Sequence, residues 1–570
     1  MRLVVLGVRQ QQVVSTTSSR LLLTVLLSSL NYNARAFSLL PVGASQHSRR
    51  RHHLAFQNRR NEPNRNNNRR RTTTSSSSSV VRSSSSSNKK MSTIDIDDDP
   101  YIWLEDVESE ESLTFAKESN EQCLAHLGDP KTSSTGTYQK VLDVLESDDR
   151  IAYVTKYGTT DDDGDAILFN VWKDSKNPKG LWRKTVMSSY KTENPEWSTV
   201  LDIDALAERD GISWVWKGST ALSRRLDPMS NGGKRITRTL LSLSRGGADA
   251  TYVKEFDLVS ETFVDEHDDG FTLPEAKTRA SYKSRDVLFV GTDFGDGNSL
   301  TDSGYPRVIK EWVRGTKLQD ATTVFEGEKT DVSVSTYISD QRLRDGPIYE
   351  VRSRSMTFYT TKRWVRRVQY EHLLAPNDPL REGISDDEPE DFIEIDIQED
   401  ASASFFGKWM MISLRSDWEP VPAAGSTGNT SNNKVYKSGS LLYVDAETFL
   451  LKGKEACDYK VLFEPTDRTA NDGYAFTKNY LILSTMDNVK SKLDFYKLTD
   501  NGCEYVGGNK EAQIISCDAS AIDPTENDQI WLYTSGYTQP STLSLGDASR
   551  VEKKKVVVEE TGEEEGNNNN

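Results

Sequence analysis

Short runs in which apolar and polar residues alternate dominate the chain from about Ile151 onward. Side chains of a β-strand point alternately to opposite faces, so this two-residue period predicts strands. The clearest predicted strands cover residues 166–172, 287–291, 409–414, 441–444, 480–484 and 530–534. Residues 240–244 and 252–256 flank a Gly-rich turn and predict a hairpin. Strand candidates continue to about Leu545 without a long intervening helix, which excludes a parallel βαβ sheet and leaves a propeller or stacked sandwiches.

A helical period precedes the strands, between residues 100 and 147. Ser112 stands before apolar residues that share one helix face, and a second, shorter set follows. The two sets are Leu113, Ala116, Cys123, Leu124 and Leu127, then Tyr138, Val141, Leu142 and Leu145. The pattern therefore predicts a short helical arm before a large all-β domain. The sequence has no strict internal repeat and no G-H…W-D signature, so an ordinary WD40 array is not supported.

The first 92 residues have the composition of a targeting leader. A short apolar run, residues 21–27, follows Arg2 and Arg9 and is too short to span a bilayer. Ala34 and Ala36 then occupy the positions of a signal cleavage site before Phe37, and a basic, Ser-rich stretch follows. This order resembles the bipartite plastid-targeting leaders of algae with complex plastids. The alternatives are a disordered basic tail, or upstream sequence that does not belong to the reading frame, with Met91 as the true start. The alternative locations are the secretory pathway, or the cytoplasm if translation starts at Met91.

The charge and the cysteine content of the chain exclude several classes of partner and site. Residues 1–92 carry sixteen Lys and Arg against Glu62 alone, whereas the remainder carries 55 basic and 86 acidic residues. Such an acidic body repels phosphate backbones, so nucleic-acid binding is not expected, and no other apolar stretch approaches the length of a membrane span. The four cysteines are widely spaced, which excludes a disulfide framework and a zinc site.

Several segments resemble prolyl oligopeptidase family proteins. The run from Asp99 to Asp106, D-P-Y-I-W-L-E-D, is similar to the family's opening motif. Further matches follow in family order at residues 242–258, 293–307, 413–418, 461–465 and 533–543. The resemblance runs from about Asp99 to Leu545 and implies a seven-bladed β-propeller behind a helical arm. In the family this propeller caps a C-terminal α/β-hydrolase domain and admits only short peptides to the active site.

The catalytic groups that the family places in its hydrolase domain are not found in the sequence. The resemblance implies a Ser on a strand-to-helix elbow followed by Asp and His. No G-x-S-x-G occurs, and the body contains only His126, His267 and His372, each of which we expect at the surface. The last 198 residues contain no histidine, so a general base for a serine nucleophile is lacking there.

Three segments superficially resemble functional loops. Gly297-Asn298-Ser299 and Ser230-Asn231-Gly232-Gly233 lack the glycine pattern of an elbow and predict turns. Asp161 to Asp165 lacks the Gly and Glu of a calcium loop, since Ala166 and Trp172 occupy those positions, and a hairpin turn explains it better. We therefore expect no catalytic, cofactor-binding or metal-binding residues and no cofactor.

The sequence as a whole predicts an all-β, seven-bladed β-propeller with a short N-terminal helical arm and a disordered leader and tail. The expected boundaries are a leader at 1–92, the arm at 93–149, the propeller at 150–547 and a low-complexity tail at 548–570. The expected function is a non-catalytic module that binds short peptides or a partner protein, including a hydrolase domain. The alternative is a truncated part of a serine-type oligopeptidase whose catalytic domain is encoded elsewhere. A plain scaffold propeller is the third hypothesis.

Overall fold

A computed structural model describes residues 4–6, 100–106, 109–147, 149–384, 390–420, 434–508 and 515–551. The cleavage site before Phe37, the start at Met91 and the tail beyond Val551 lie outside these residues. The chain divides into two compact units, one of residues 46–145 and one of residues 1–45 with 146–570.

The smaller unit contains the predicted arm. A 3-10 turn, Ile102–Glu105, precedes α1 (Glu110–Leu127) and α2 (Thr137–Leu145). Helix α1 begins after Ser109, whose hydroxyl accepts a hydrogen bond from the Ser112 amide at 3.1 Å. It ends before Gly128, whose positive φ of 83° breaks the helical course. Both predicted helices are therefore present.

The larger unit is a ring of seven antiparallel sheets, which the strands form in chain order. The first strand, β1 (Val4–Leu6), is an exception because it pairs with the last strand, β29. Blade 1 contains β2 (Thr155–Thr159), β3 (Ala166–Trp172), β4 (Leu181–Val186) and β5 (Ser198–Asp202). Blade 2 contains β6 (Trp214–Ala221), β7 (Arg238–Arg245), β8 (Thr251–Asp257), β9 (Thr262–Phe263) and β10 (Thr272–Ala276). Blade 3 contains β11 (Arg279–Ser284), β12 (Val287–Gly291), β13 (Val308–Val313) and β14 (Thr322–Glu326).

The remaining four blades repeat this arrangement. Blade 4 contains β15 (Ser333–Asp340), β16 (Ile348–Ser355), β17 (Thr361–Val368) and β18 (Ile393–Glu394). Blade 5 contains β19 (Ser402–Phe406), β20 (Trp409–Ser413), β21 (Leu441–Asp445) and β22 (Lys460–Phe463). Blade 6 contains β23 (Thr469–Phe476), β24 (Tyr480–Asp487), β25 (Lys490–Thr499) and β26 (Gly502–Gly508). Blade 7 contains β27 (Ser516–Ala521), β28 (Gln529–Ser535) and β29 (Thr542–Asp547), with β1 beside β29.

Short helices decorate the connections between strands. They are α3 (Met187–Tyr190), α4 (Ile203–Asp210), α5 (Ala446–Lys452) and 3-10 turns at Glu266–Asp268, Leu318–Asp320, Arg342–Arg344, Tyr370–Leu373, Pro379–Arg381 and Lys454–Ala456. Helix α4 begins where the Asp202 carboxylate accepts a hydrogen bond from the Ala205 amide at 2.9 Å, and it ends at Gly211.

Hydrogen bonds between neighbouring blades show that their first strands lie side by side. The hydroxyls of Tyr157 on β2 and Ser219 on β6 are 2.8 Å apart. The Ser281 hydroxyl on β11 donates to the Thr336 carbonyl on β15 at 2.9 Å. First strands arranged in this way surround the centre of the ring, as expected for a propeller with a central channel.

An apolar cluster joins the last blade to the first. Leu168 and Met187 of blade 1 pack in one buried group with Trp531 and Leu543 of blade 7. Tyr190 packs edge-on against Trp531 with ring centroids 5.8 Å apart. The ring is therefore closed by side-chain packing between blades 1 and 7.

The predicted all-β, seven-bladed architecture is confirmed, and the ends of each of the clearest predicted strands lie no more than three residues from those expected. The predicted domain boundaries stay predictions. Two findings differ from expectation at the ends of the chain. Val4–Leu6 of the predicted leader form a strand, and Ala548, assigned to the tail, is fully buried against the core of blades 6 and 7.

Candidate functional site at one end of the propeller channel

The loops that join the first and second strands of each blade meet at one end of the central channel. We call them the inner loops, residues 160–165, 222–237, 285–286, 341–347, 407–408, 477–479 and 522–528. Each first strand runs in the same direction through the ring, so all seven inner loops emerge at the same end of the channel. We call this end the inner-loop end. The loops of blades 2, 4 and 7 are long enough to extend across that end.

Two carboxylates of the blade 7 inner loop bind cations from blades 1 and 2. Asp523 accepts from the Lys156 ammonium at 3.2 Å and from the Arg224 guanidinium at 2.7 Å. Glu526 pairs with the same two cations. The side chains of Lys156 and Asp523 are only 4% and 8% exposed, so these ion pairs are shielded from solvent.

A third carboxylate joins blades 2 and 4. Asp340, at the end of β15, accepts from Arg342 at 2.7 and 2.9 Å, and from Arg225 of blade 2 at 3.2 Å. Burial alone would raise the pKa of Asp340, but hydrogen bonds from Arg342 and the charges of Arg342 and Arg225 lower it. This carboxylate is therefore ionised at neutral pH and holds the blade 2 loop against blade 4.

Arg344 extends from the blade 4 loop to the opposite side of the ring. Its guanidinium donates to the main-chain carbonyls of Pro524 in blade 7 and Thr477 in blade 6, and it stacks 4.3 Å from the centre of the Phe406 ring. The pKa of Arg344 is lowered to about 10, chiefly by burial, which outweighs the raising effect of the Asp523 carboxylate; the charge of Arg225 also lowers this pKa. Charges from four blades therefore lie within electrostatic range of one another.

Two glycines make the close approach of these loops possible. Gly158, with φ of 134°, lies so near the blade 2 loop that a Cβ would stand 2.5 Å from the Cα of Arg235. A Cβ on Gly407, with φ of 58°, would stand 2.7 Å from the carbonyl oxygen of Arg344. Any larger residue would push each inner loop away from the channel end.

A cavity of about 400 Å³ opens beside this charged end, in blade 4. It lies between the inner loop that ends at Pro347 and the segment that follows β17. Its lining comprises Arg342, Pro347, Ile348, Arg367, Val368, Gln369, Tyr370, His372 and Glu390. The Arg342 guanidinium is shared by the cavity and the channel end, and it lies 5.4 Å from the centre of the Tyr370 ring.

The three histidines of the body lie in three different elements. His126 is exposed in the last turn of α1, and His267 is exposed in the turn Glu266–Asp268 of blade 2. The expectation of a surface position was wrong for His372, which is 4% exposed. The 3-10 turn Tyr370–Leu373 folds back over blade 4 and buries both His372 and Leu373.

The segments that superficially resemble functional loops are ordinary turns of the propeller. Ser299 is buried, and its hydroxyl accepts a hydrogen bond from the Phe294 amide at 3.1 Å. Ser230 lies in the blade 2 inner loop, where its hydroxyl accepts from the Gly233 amide at 2.9 Å. The stretch from Asp161 to Asp165 joins β2 to β3 as a hairpin turn, as predicted.

Three of the four cysteines are at least partly buried, and Cys123 is exposed. Burial raises the pKa of Cys457 to about 11, of Cys503 to about 12 and of Cys517 to about 11. Within the described ranges, no group of three His, Cys, Asp or Glu side chains is arranged to hold a metal ion. Among the same residues, no helix is long and apolar enough to cross a bilayer.

The cluster of charged residues in the inner loops was not predicted from the sequence. The signal available was the adjacent pair Arg224-Arg225 and the spacing of Arg342 and Arg344, each directly after a first strand. These arginines indicate a site only once the fold is known, because the ring brings Asp340 and Asp523 to the same end of the channel.

Two curated proteins to which the chain is similar are described as peptidases. The chain is 30% identical over 468 residues to an uncharacterized peptidase of Sinorhizobium fredii, covering 80% of this chain and 56% of that protein. It is 26% identical over 409 residues to an uncharacterized peptidase of Rickettsia prowazekii, covering 70% of this chain and 49% of that protein. The chain thus spans about half the length of these curated relatives. No family model matches the chain.

Solved structures of oligopeptidases share the fold. A post-proline cleaving enzyme from Rickettsia typhi matches with a TM-score of 0.62 at 23% identity, over 78% of this chain and 58% of the enzyme. Oligopeptidase B from Leishmania major matches with a TM-score of 0.52 at 10% identity, over 79% of this chain and 54% of the enzyme. The chain is similar to prolyl oligopeptidases. At these identities the structural matches establish the fold alone.

Proposed function

We propose that this chain is a non-catalytic β-propeller of a prolyl-oligopeptidase-like protein and that it binds short peptides or a partner protein. The relation to peptidases is supported by the alignment of 80% of this chain with 56% of a peptidase. The observation that carries the non-catalytic status is the lack of a catalytic serine motif and base in the sequence of this chain. The sequence within this chain has no G-x-S-x-G and no histidine after His372. A serine nucleophile without a nearby base is not activated near neutral pH.

The inner-loop end supports a role in admitting or retaining peptides. Ion pairs between Arg224 and Asp523 and between Arg225 and Asp340 tie blades 2, 4 and 7 together. A folded protein would have to break these contacts to pass this end of the channel. We therefore propose that binding partners of the channel are unfolded or short.

The experiment that tests non-catalytic status uses the purified 570-residue chain. It is incubated with a fluorophosphonate probe for active serines and, separately, with a short fluorogenic peptide that contains proline. We expect no covalent labelling and no cleavage, whereas an active serine hydrolase in parallel shows both. Labelling together with peptide cleavage by the pure chain would overturn the proposal.

A second candidate function is that the chain is one part of a serine-type oligopeptidase whose hydrolase domain lies elsewhere. The specific support is the coverage of only 56% and 49% of the two curated relatives. Sequencing of the transcript beyond the codon for Asn570 tests this candidate. An in-frame Gly-Gly-Ser-x-Gly-Gly followed by Asp and His would favour it, and their absence would favour the independent propeller.

A further inference from the structure

We propose that the blade 4 cavity binds the C-terminal end of a short peptide, with the peptide carboxylate directed toward Arg342 and Arg367. The inference rests on the proposed peptide-binding function and assigns it a place outside the channel. The cavity volume of about 400 Å³ is in the range of small-molecule and peptide sites, which span roughly 300–1,000 Å³. It therefore accommodates the last two or three residues of a peptide.

The cavity combines an apolar wall with several polar groups, as ligand sites usually do. Pro347, Ile348 and Val368 provide apolar surface, and the Tyr370 ring adds an aromatic face. His372 lines the same cavity although its side chain is almost completely buried. This wall suits an aromatic or aliphatic side chain at the peptide's last position.

Two guanidinium groups of the lining retain donors for an anion. Arg342 binds Asp340 through Nε and Nη2, and Arg367 binds Glu447 through Nη1 at 3.1 Å. Because a guanidinium has five N–H groups in a planar fork, each has donors beyond these contacts. Side-chain exposures of 34% and 40% leave both groups accessible from the cavity.

The position of the remaining charge gives the peptide a direction. Glu390, the carboxylate of the lining, is exposed, whereas the two arginines are half-buried. A free carboxylate is therefore favoured beside the two guanidinium groups, and a positive group is favoured beside Glu390. A zwitterionic tripeptide satisfies both requirements, while a peptide amide loses the contact of its carboxylate with the arginines.

The test compares the tripeptide Ala-Ala-Phe with its C-terminal amide by isothermal titration calorimetry on the full chain. We expect the free acid to bind at least about tenfold more tightly, because a charge-assisted hydrogen bond contributes about 1.5–3 kcal/mol and 1.4 kcal/mol corresponds to a tenfold change. Arg367→Gln should remove most of this preference. Gln369→Trp, which fills the cavity without removing a charge, should weaken both peptides.

Lys362→Gln is the matched control. Lys362 lies on the same strand, is also 40% exposed and pairs with the exposed carboxylates of Glu394 and Glu399, but it is not part of the lining. The control should bind both peptides as the unmodified chain does, and thermal unfolding should show all three variants to be folded.

The outcomes separate this inference from the proposed function. If the chain binds the tripeptide but Arg367→Gln and Gln369→Trp behave like the control, peptide binding stands and the cavity assignment is overturned. If the unmodified chain binds the acid and the amide equally, the carboxylate assignment is overturned. If it binds neither peptide, both the cavity assignment and the peptide-binding branch of the proposed function fail, while the prediction of non-catalytic status is unaffected.

Discussion

Of the two blade 7 carboxylates that bind cations at the inner-loop end, Asp523 is the more buried, with 8% of its side chain exposed against 34% for Glu526. It binds Lys156 of blade 1 and Arg224 of blade 2, and it also accepts from the Thr525 hydroxyl at 2.6 Å. Burial alone would raise the pKa of Asp523, but the positive charges of Arg224 and Lys156 and the hydrogen bonds from Thr525 lower it. The residue is therefore a charged group inside a shielded cluster.

Asp523→Asn should destabilise the propeller substantially, because it removes the more buried of the two carboxylates that compensate the charges of Lys156 and Arg224. Breaking a buried ion pair by removing one partner typically costs about 3–5 kcal/mol. Denaturant unfolding followed by Trp fluorescence measures the loss. Asp162→Asn, in the exposed inner loop of blade 1, should leave the unfolding midpoint unchanged. A loss below about 1 kcal/mol for Asp523→Asn would contradict this account of the cluster.

The same carboxylate predicts a pH dependence of stability. Its pKa is lower in the folded than in the unfolded chain, so its stabilising contribution is fully present above the unfolded value of about 3.9 and is lost as pH falls through the folded value. The unmodified chain should therefore lose stability below about pH 4. Asp523→Asn should show a shallower loss over the same range, as measured by thermal unfolding at several pH values.

At the scale of elements, tyrosine hydroxyls join the first strands of neighbouring blades. Tyr474 on β23 and Ser404 on β19 are 2.9 Å apart, which repeats the Tyr157–Ser219 contact between blades 1 and 2. Burial raises the pKa of both tyrosines, so each hydroxyl stays protonated and available as a donor. These bonds fix the spacing of strands that surround the channel.

Tyr474→Phe should lower the free energy of unfolding by about 1 kcal/mol, the usual net contribution of a hydrogen bond. The same loss is expected for Tyr157→Phe. Tyr537→Phe serves as the comparison, since its ring is exposed in the loop between β28 and β29. Chemical denaturation of the three variants checks the prediction, and equal stability of all three would remove the assigned role of these hydroxyls.

Whole-molecule behaviour includes the fate of the leader, for which plastid targeting stays a prediction. Residues 1–92 fused to a green fluorescent protein should direct it to the plastid when the fusion is expressed in an alga with complex plastids. Phe37→Ala should prevent the fusion from entering the plastid, because Phe37 directly follows the expected cleavage site. Uniform cytoplasmic fluorescence of the unmodified fusion would contradict plastid targeting.

The fold was largely predictable because its signals are local. The alternation in residues 166–172 became β3, and the Gly-rich turn at residues 245–249 became the hairpin of β7 and β8. The number of blades came from the family resemblance, since each blade has its own sequence. The burial of His372 was not predictable, because it depends on how the turn after β17 folds over blade 4.

The sequence by itself determined the strands, the turns and the helices of the arm, because side-chain periodicity and turn residues act over a few neighbouring positions. The tertiary structure decided which charges meet. Arg224 and Asp523 are 299 residues apart in the chain and lie 2.7 Å apart in the ring. The inner loops meet only after the first strands of all seven blades are arranged around one axis. No local sequence pattern encodes that arrangement.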